Sequence, residues 1–374
     1  MQKKLRILQV VNVRWFNATA WYGLRLSRLP QDAGHDVRVI CLEGTACFHE
    51  AQKMGIDPIP LDINSLHPLR LVKGLRKLIE LLRDFSPDIV NCHRGEGFVF
   101  LALLKKLGFP FALVRTRGDQ RPPQKSFINH YLHNSVSDAL IVTNSPMRDR
   151  FIHTFSTPLE HVHTVLGGVD TKKFTYSKAG RARVRQELGI TEKEQVVGLL
   201  GRFDTVKGHA TLIQAASLLK DRFPRIRLML AGTDSALTHE ELRTMAEEAG
   251  LKNTLFPGKC ADVPACISAM DIGVVASIGS ETIARVVLEM MSCGIPLIGT
   301  TVGVMPDLLP QWALVPPEHP ADLASCLAKV LESEQQKELL LRWNKDMLAT
   351  VSDESFLTKT LHVYELAMQK AKGA

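Results

Sequence analysis

At 374 residues, with 45% hydrophobic and 23% charged residues, the chain has the composition of a soluble globular protein and is long enough for two cores, since single cores stop growing near ~250–300 residues. Its net charge of +7 is unevenly placed: residues 1–175 hold 24 Lys and Arg against 15 Asp and Glu, and residues 176–374 hold 22 against 24. The basic first half favours anionic partners, while the lack of a basic stripe with interleaved aromatics argues against nucleic acid. Seven scattered cysteines without a CxxC pair suggest neither a zinc site nor a disulfide framework, and a reducing, cytoplasmic setting. No apolar run of ~20 residues occurs, so no membrane span is expected.

In chain order, the basic N-terminus leads into Leu5–Val13, which reads as a buried parallel strand rather than a signal peptide. The loop Arg14–Ala20 follows, then a helix over about residues 19–34 and a strand at Asp36–Leu42. This is a βαβ unit, and ligands bind such sheets at the carboxyl ends of the strands. The loop carries no GxGxxG, which disfavours a dehydrogenase. Residues 67–83 form an amphipathic helix with a basic face, either an ordinary surface helix or one that docks on an anionic membrane. A strand at residues 88–93 ends in His93, a structural histidine or a ligand contact. The strand Phe111–Arg117 runs into a loop that gathers Arg115, Arg117, Arg121 and Lys125 around Asp119, an acceptor-side or anion-binding loop by its place at a strand end. A further strand covers residues 139–145. The glycines Gly167 and Gly168 and the polar run after them mark a domain junction near residues 170–185.

A second set of alternating elements begins at Gln195–Gly201. The loop after that strand, Gly201–His209, holds Arg202 and Lys207, two cations able to neutralise a diphosphate. Strands at 227–233 and 254–258 follow, with helices near 238–250 and 263–269. The apolar strand Ile272–Ser277 then opens onto Gly279–Pro296, with Glu281 at the junction of strand and helix. Glu289, eight residues on, is expected about two turns into that helix and near the same face. A helix N-terminus is a ready anion site, so the pair reads either as a grip on polyhydroxyl groups beside a phosphate or as a cap and a surface charge. A strand at 296–300, a glycine-bearing turn and helices near 320–332, 334–349 and 353–371 complete the chain.

Four motifs, in order, resemble the retaining family-4 glycosyltransferases of the GT-B fold: Gly168-Val169-Asp170 with Phe174; Gly201-Arg202-Phe203 with Lys207-Gly208; Ala231-Gly232; and Glu281 with Glu289, Cys293-Gly294 and Pro296. The strand ending in His93 matches as well. The resemblance implies an α/β protein with two Rossmann-like domains facing each other across a cleft. The expected division is an acceptor-side domain at 1–175, a nucleotide-sugar domain at 176–352 and a C-terminal helix at 353–374 that packs back on the first domain.

It further implies transfer of a hexose-type sugar from a UDP- or GDP-linked donor to a glycan or glycolipid acceptor, as in lipopolysaccharide or other cell-surface polysaccharide synthesis. Arg202 and Lys207 would bind the diphosphate. Glu289 would hold the ribose, and Glu281 the donor sugar in a positioning and electrostatic role. Backbone N–H groups of Ile283, Ala284, Arg285 and Val286 would meet sugar and phosphate, with Gly201 alongside. The base would rest on Lys259 and Cys260, and His93 would lie across the cleft near the sugar. No cofactor or metal is implied, and no DxD-like motif stands at a strand end. The family often has a Gly-Gly pair after the first strand, where this chain has Ala18-Thr19-Ala20. Ala18 and Thr19, with Arg117, Asp119 and Arg121, are therefore the acceptor-side residues in question. The expected location is cytoplasmic, with peripheral attachment at the inner membrane face through the basic half. The competing readings are a nucleotide-sugar epimerase of the same architecture and a nucleotide-sugar binding protein without turnover.

Overall fold

The structure, a computed structural model, describes residues Lys3–Gly373 apart from the side chain of Glu96. Met1 and Gln2, in the basic stretch ahead of the first strand, and Ala374, which the sequence assigns to the last helix, lie outside the described residues. The chain divides into two compact units, Met1–Gly167 with Asp353–Ala374, and Gly168–Ser352.

In the first unit the order is β1 (Arg6–Val10), α1 (Ala18–Asp32), β2 (Asp36–Cys41), α2 (Ala46–Lys53), β3 (Pro58–Pro60), α3 (Pro68–Phe85), β4 (Ile89–Cys92), α4 (Gly95–Lys106), β5 (Ala112–Arg117), α5 (Phe127–Tyr131), β6 (Ala139–Val142), α6 (Ser145–Phe155) and β7 (Val162–Thr164). The strands are short apolar runs buried on both faces, as parallel strands under helices must be. They pair in parallel in the order β3-β2-β1-β4-β5-β6-β7. The C-terminal helix Asp353–Gly373 packs against β5, β6 and α1. Its Tyr364 hydroxyl accepts from Gln9 Nε2 and Asn91 Nδ2, each at 2.9 Å, so β1 and β4 are tied to the end of the chain.

In the second unit α7 (Lys178–Glu187) precedes β8 (Gln195–Leu200), α8 (His209–Leu219), β9 (Ile226–Ala231), α9 (His239–Glu248), β10 (Leu255–Gly258), α10 (Val263–Ser268), β11 (Ile272–Val275), α11 (Arg285–Ser292), β12 (Leu297–Thr300), α12 (Met305–Leu308), β13 (Leu314–Val315), α13 (Pro320–Glu332) and α14 (Glu334–Val351). The sheet order is β10-β9-β8-β11-β12-β13, again parallel. In both sheets the order reverses beside the unit's first strand, between β1 and β4 and between β8 and β11. Open α/β sheets bind ligands at such a reversal, beyond the carboxyl ends of the strands.

Four expectations are corrected. Helix α11 starts at Arg285, so Glu281 stands four residues before it and Glu289 is only its fifth residue. The chain turns left-handed at Ser280 (φ 65°) and Ala284 (φ 52°), which the apolar composition conceals. Ala18, Thr19 and Ala20 form the first turn of α1, capped by Asn17, rather than a loop. Arg115 leaves the charged loop: it is buried, and its Nη1 donates to the carbonyls of Cys92 and Thr116 at 2.8 and 2.7 Å. Cys260 and Cys266 are joined in a disulfide, although the spacing gives no CxxC sign of one.

Candidate active site

Three loops converge at the order reversal of the second unit. The loop after β8 closes in a single helical turn, Thr205–Lys207, capped by Asp204 and ended by Gly208 at φ 70°. A Cβ at Gly208 would lie 1.8 Å from the Ala276 carbonyl oxygen, so only glycine lets the loop after β8 meet the loop after β11 this closely. Ile278 N–H donates to Val206 O at 2.9 Å and closes the seam. On that seam Lys207 Nζ donates to Glu281 Oε1 at 2.5 Å. The same carboxylate oxygen accepts from Ser277 Oγ at 2.7 Å, and Thr300 Oγ1 donates to Ser277 O at 2.5 Å. The third loop, after β12, supplies Val304 N–H to Glu281 O at 2.7 Å, and Gly303 (φ 61°) packs so close that a Cβ would sit 1.9 Å from that oxygen. Glu281 is thus fixed through both backbone and carboxylate. Ser277 and Gly303 are not among the sequence's site residues; the glycine in the turn after a strand is the signal that points to one of them.

Arg202, from the same loop as Lys207, keeps a mostly exposed side chain 3.4 Å from Asp204. Gly201 meets Gly232 where a Cβ on Gly232 would lie 1.8 Å from Gly201 O. Gly232 N–H donates to Gly258 O at 2.9 Å, which brings the turn holding Lys259 and Cys260 to this sheet edge. Ile283 and Ala284 are buried just ahead of α11, and Arg285 and Val286 open it. Glu289 is buried, with Arg285 Nη2 3.4 Å away. Burial raises the pKa of its carboxyl above the ordinary glutamate range, and the charges of Arg285 and Lys173 only partly oppose this. The folded protein therefore holds that proton more tightly than the unfolded chain. This contribution to stability is present at low pH and is lost as pH rises through the raised value.

The corresponding place in the first unit is neutral. His93 follows β4, and its N–H extends the ladder to Val10 O at 3.0 Å. The side chain is buried, with Nε2 2.9 Å from Gln9 Oε1. Gln9 spends its amide N–H groups on Leu26 O and Tyr364, so its oxygen is the acceptor and His93 Nε2 carries the proton. Burial first, and the nearby Arg115 charge second, lower the His93 pKa to about 3, and the imidazole is neutral at working pH. Its buried Nδ1 has no hydrogen-bond partner among the described residues. At the mouth of β5, Thr19 Oγ1 donates to Gly118 O at 2.9 Å, one residue from the Arg117–Asp119 pair at 3.1 Å. Asp119 also accepts from Arg121 N–H at 3.1 Å. Thr19, Arg117, Asp119 and the main chain of Arg121 thus form one cluster, with Ala18 beside it, while Arg121 and Lys125 are both exposed residues.

The sequence matches the model of glycosyl transferases group 1 over residues 180–346 and that of glycosyltransferase family 4 over residues 20–173. The chain belongs to these family-4, group 1 glycosyltransferases. D-inositol 3-phosphate glycosyltransferase of Corynebacterium jeikeium is 30% identical over 226 residues, which is 57% of this chain and 54% of that protein. The match thus spans about half the length of that relative. Among solved structures, a glycosyltransferase from Rickettsia africae has a TM-score of 0.86 at 19% identity, covering 98% of this chain and 99% of its own. HepE from Anabaena in complex with UDP has a TM-score of 0.83 at 19% identity, covering 96% and 100%. These likenesses establish the GT-B glycosyltransferase fold.

Among the described residues, no three His, Cys, Asp or Glu side chains gather as metal ligands. What the second unit's loops assemble is a cation, a fixed carboxylate and an open helix start. Gly303→Ala tests how far the position of Glu281 depends on that packing. A left-handed φ costs alanine about 1–2 kcal/mol before any clash is counted, so the variant should lose more than about 2 kcal/mol, a fall of roughly 5 °C in the melting of the second unit. Gly279→Ala, with nothing within 4 Å of the added Cβ, should melt near the wild type. Calorimetry of the two variants makes the comparison.

Proposed function

We propose that this glycosyltransferase moves a hexose-type sugar from a nucleoside-diphosphate sugar to a glycan or glycolipid acceptor, with retention of configuration and without a metal ion. The observation that carries the reading is the Lys207–Glu281 pair at the sheet reversal, with Arg202 on the same loop and the start of α11 beyond it. Arg202, Lys207 and the first N–H groups of α11 hold the diphosphate and stabilise its charge as it leaves. Glu281, fixed by Ser277 and Val304, positions the sugar; Glu289 accepts from the ribose hydroxyls; the base lies on the turn at Lys259 and Cys260. The bond from the anomeric carbon to the phosphate oxygen breaks. The acceptor oxygen attacks on the face the diphosphate leaves, and its proton passes to a phosphate oxygen. No carboxylate nucleophile is needed. His93, neutral across the working range, serves as a hydrogen-bonding group rather than an acid. The UDP complex of HepE favours a uridine donor over a guanosine one.

The acceptor is presented at an anionic membrane surface on the cytoplasmic side. At the start of α3, Leu66, Leu69 and Val72 are exposed among Arg70, Lys73, Arg76 and Lys77, all exposed as well. Apolar side chains beside a basic face are what a headgroup layer binds. Among the described residues no helix is long and apolar enough to cross a membrane.

Lys207→Ala and Glu281→Ala should each keep the fold by circular dichroism while transfer to acceptor falls more than tenfold; wild-type rates in both would remove the site. Thermal shift with a panel of nucleotide sugars should single out one base, because a ligand bound only by the native state raises its melting temperature. For Glu289, the carboxylate is the form that accepts from ribose. Donor affinity should therefore weaken as pH falls through the raised pKa, sooner than for an ordinary glutamate, and Glu289→Gln should abolish that dependence. Calorimetric titration of UDP across pH reads it. At the surface, each Lys or Arg near an anionic bilayer contributes about 1 kcal/mol. Lys73→Ser should accordingly cut sedimentation with phosphatidylglycerol vesicles about fivefold and leave the melting temperature alone; equal binding to phosphatidylcholine vesicles would end the membrane reading.

A further inference from the structure

The Cys260–Cys266 bridge belongs to the donor side of the second unit. Cys260 lies in the turn after β10, two residues past Gly258, and is only partly buried. Cys266 is a buried residue of α10. Helix α10 is firmly held: Ala265 packs against Gly180 of α7, Arg181 Nη1 donates to Ser268 O at 2.9 Å, and Arg183 pairs with Asp262 at 2.6 Å. The turn is not. Among the described residues Lys259, Cys260 and Ala261 make no backbone hydrogen bond. The bridge is what ties this turn to the helix, across a Cα separation of 6.4 Å that lies within the range disulfides span. Upstream, Gly258 O receives Gly232 N–H, and Gly232 packs on Gly201, where the loop to Arg202 and Lys207 begins. The other five cysteines are buried in the core, where no reagent reaches them directly.

We propose that Cys260 and Cys266 form a reversible thiol–disulfide site that sets the order of the base-binding turn and with it the affinity for the donor nucleotide. The inference rests on the reading that Lys259 and Cys260 carry the base. The oxidant is a low-molecular-weight disulfide such as oxidised glutathione. The partly exposed Cys260 thiolate attacks it and releases one glutathione thiol; the Cys266 thiolate then attacks Cys260 Sγ in the mixed disulfide and releases the second. Two cysteine thiols lose two protons and two electrons, and one disulfide is reduced to two thiols. The bridged turn is already ordered, so the nucleotide does not bear the cost of ordering it.

The test compares full-length protein treated with oxidised glutathione with protein treated with dithiothreitol. Denaturing alkylation and peptide mapping count the thiols, and calorimetry measures UDP, GDP and inorganic pyrophosphate. The expected result is a protected Cys260–Cys266 pair after oxidation and UDP or GDP binding about three- to tenfold tighter than in the reduced protein. Pyrophosphate, which has no base, should bind equally in both states. Cys266→Ser and, as a check on folding, Cys266→Ala should hold the reduced-state affinity under both treatments. Nucleotide affinity that ignores the redox state, or two thiols that stay free in oxidised glutathione, overturns the proposal and leaves the donor site standing. Failure of both nucleotides to bind in either state overturns the donor-site reading and the proposal with it.

Discussion

The second unit is arranged around one close approach: the loop after β8 seated on the loop after β11, with Lys207 on Glu281. The ion pair by itself adds little stability. At an effective dielectric constant of ~20 a contact pair gains a few kcal/mol, and removing two charges from water costs a similar amount. What makes the contact possible is backbone. Gly208 meets Ala276 O, Gly303 meets Glu281 O, and Gly232 meets Gly201 O, and at each place a Cβ would lie less than 2 Å from a carbonyl oxygen. These glycines bring four strand ends to van der Waals contact, and the Lys207–Glu281 pair between them is then held in place. A site in which charge develops on a leaving group gains most from such fixed groups, because no reorientation is needed as the charge appears.

The backbone around Glu281 also stores strain. Two non-glycine residues, Ser280 and Ala284, sit left-handed on either side of it, at about 1–2 kcal/mol each. The surrounding contacts offset it: Val304 and Gly303 clamp the Glu281 carbonyl, Ser277 holds the carboxylate, and Ile283 and Ala284 are buried. The left-handed Ala284 starts α11 abruptly, so that Arg285 and Val286 begin the helix directly beyond the seam. Strain concentrated at one loop and supported from its surroundings is how functional loops keep an unfavourable geometry.

What the sequence made legible follows from what each signal depends on. Parallel strands buried on both faces read as short apolar runs, so most strands and their carboxyl ends, including those bearing His93, Lys207 and Glu281, could be placed. β3 escaped because Pro58-Ile59-Pro60 is a three-residue edge strand with two prolines, against every strand signal. Arg115 looked like part of a charged loop because it alternates with Arg117. One register step decides otherwise: Arg115 lies opposite Cys92 inside the sheet, while Arg117 reaches its end. The start of α11 was misplaced because Ile283 and Ala284 suit a helix by composition, and a left-handed turn there is set by packing against other loops. The Cys260–Cys266 bridge joins a turn to the helix after it, a pairing that depends on chain direction rather than on a recognised spacing. The pairing of Lys207 with Glu281, 74 residues apart, was equally out of reach, since only the strand order β8–β11 makes them neighbours.

The two order reversals are filled in opposite ways. In the second unit the residues are charged, and the charges are held near the surface of the sheet edge. In the first, Thr116, Asn91, Tyr364, Gln9 and His93 form a chain of neutral hydrogen bonds, closed by a tyrosine delivered from the far end of the polypeptide. A buried neutral network of this kind works only if its members are paired, because each orphaned donor or acceptor inside costs about 1–3 kcal/mol. It fixes the tautomer of His93 through Gln9 and leaves one atom, Nδ1, uncommitted. Arg115 beside it helps keep the ring neutral, so the imidazole offers a lone pair that does not change with pH near neutrality.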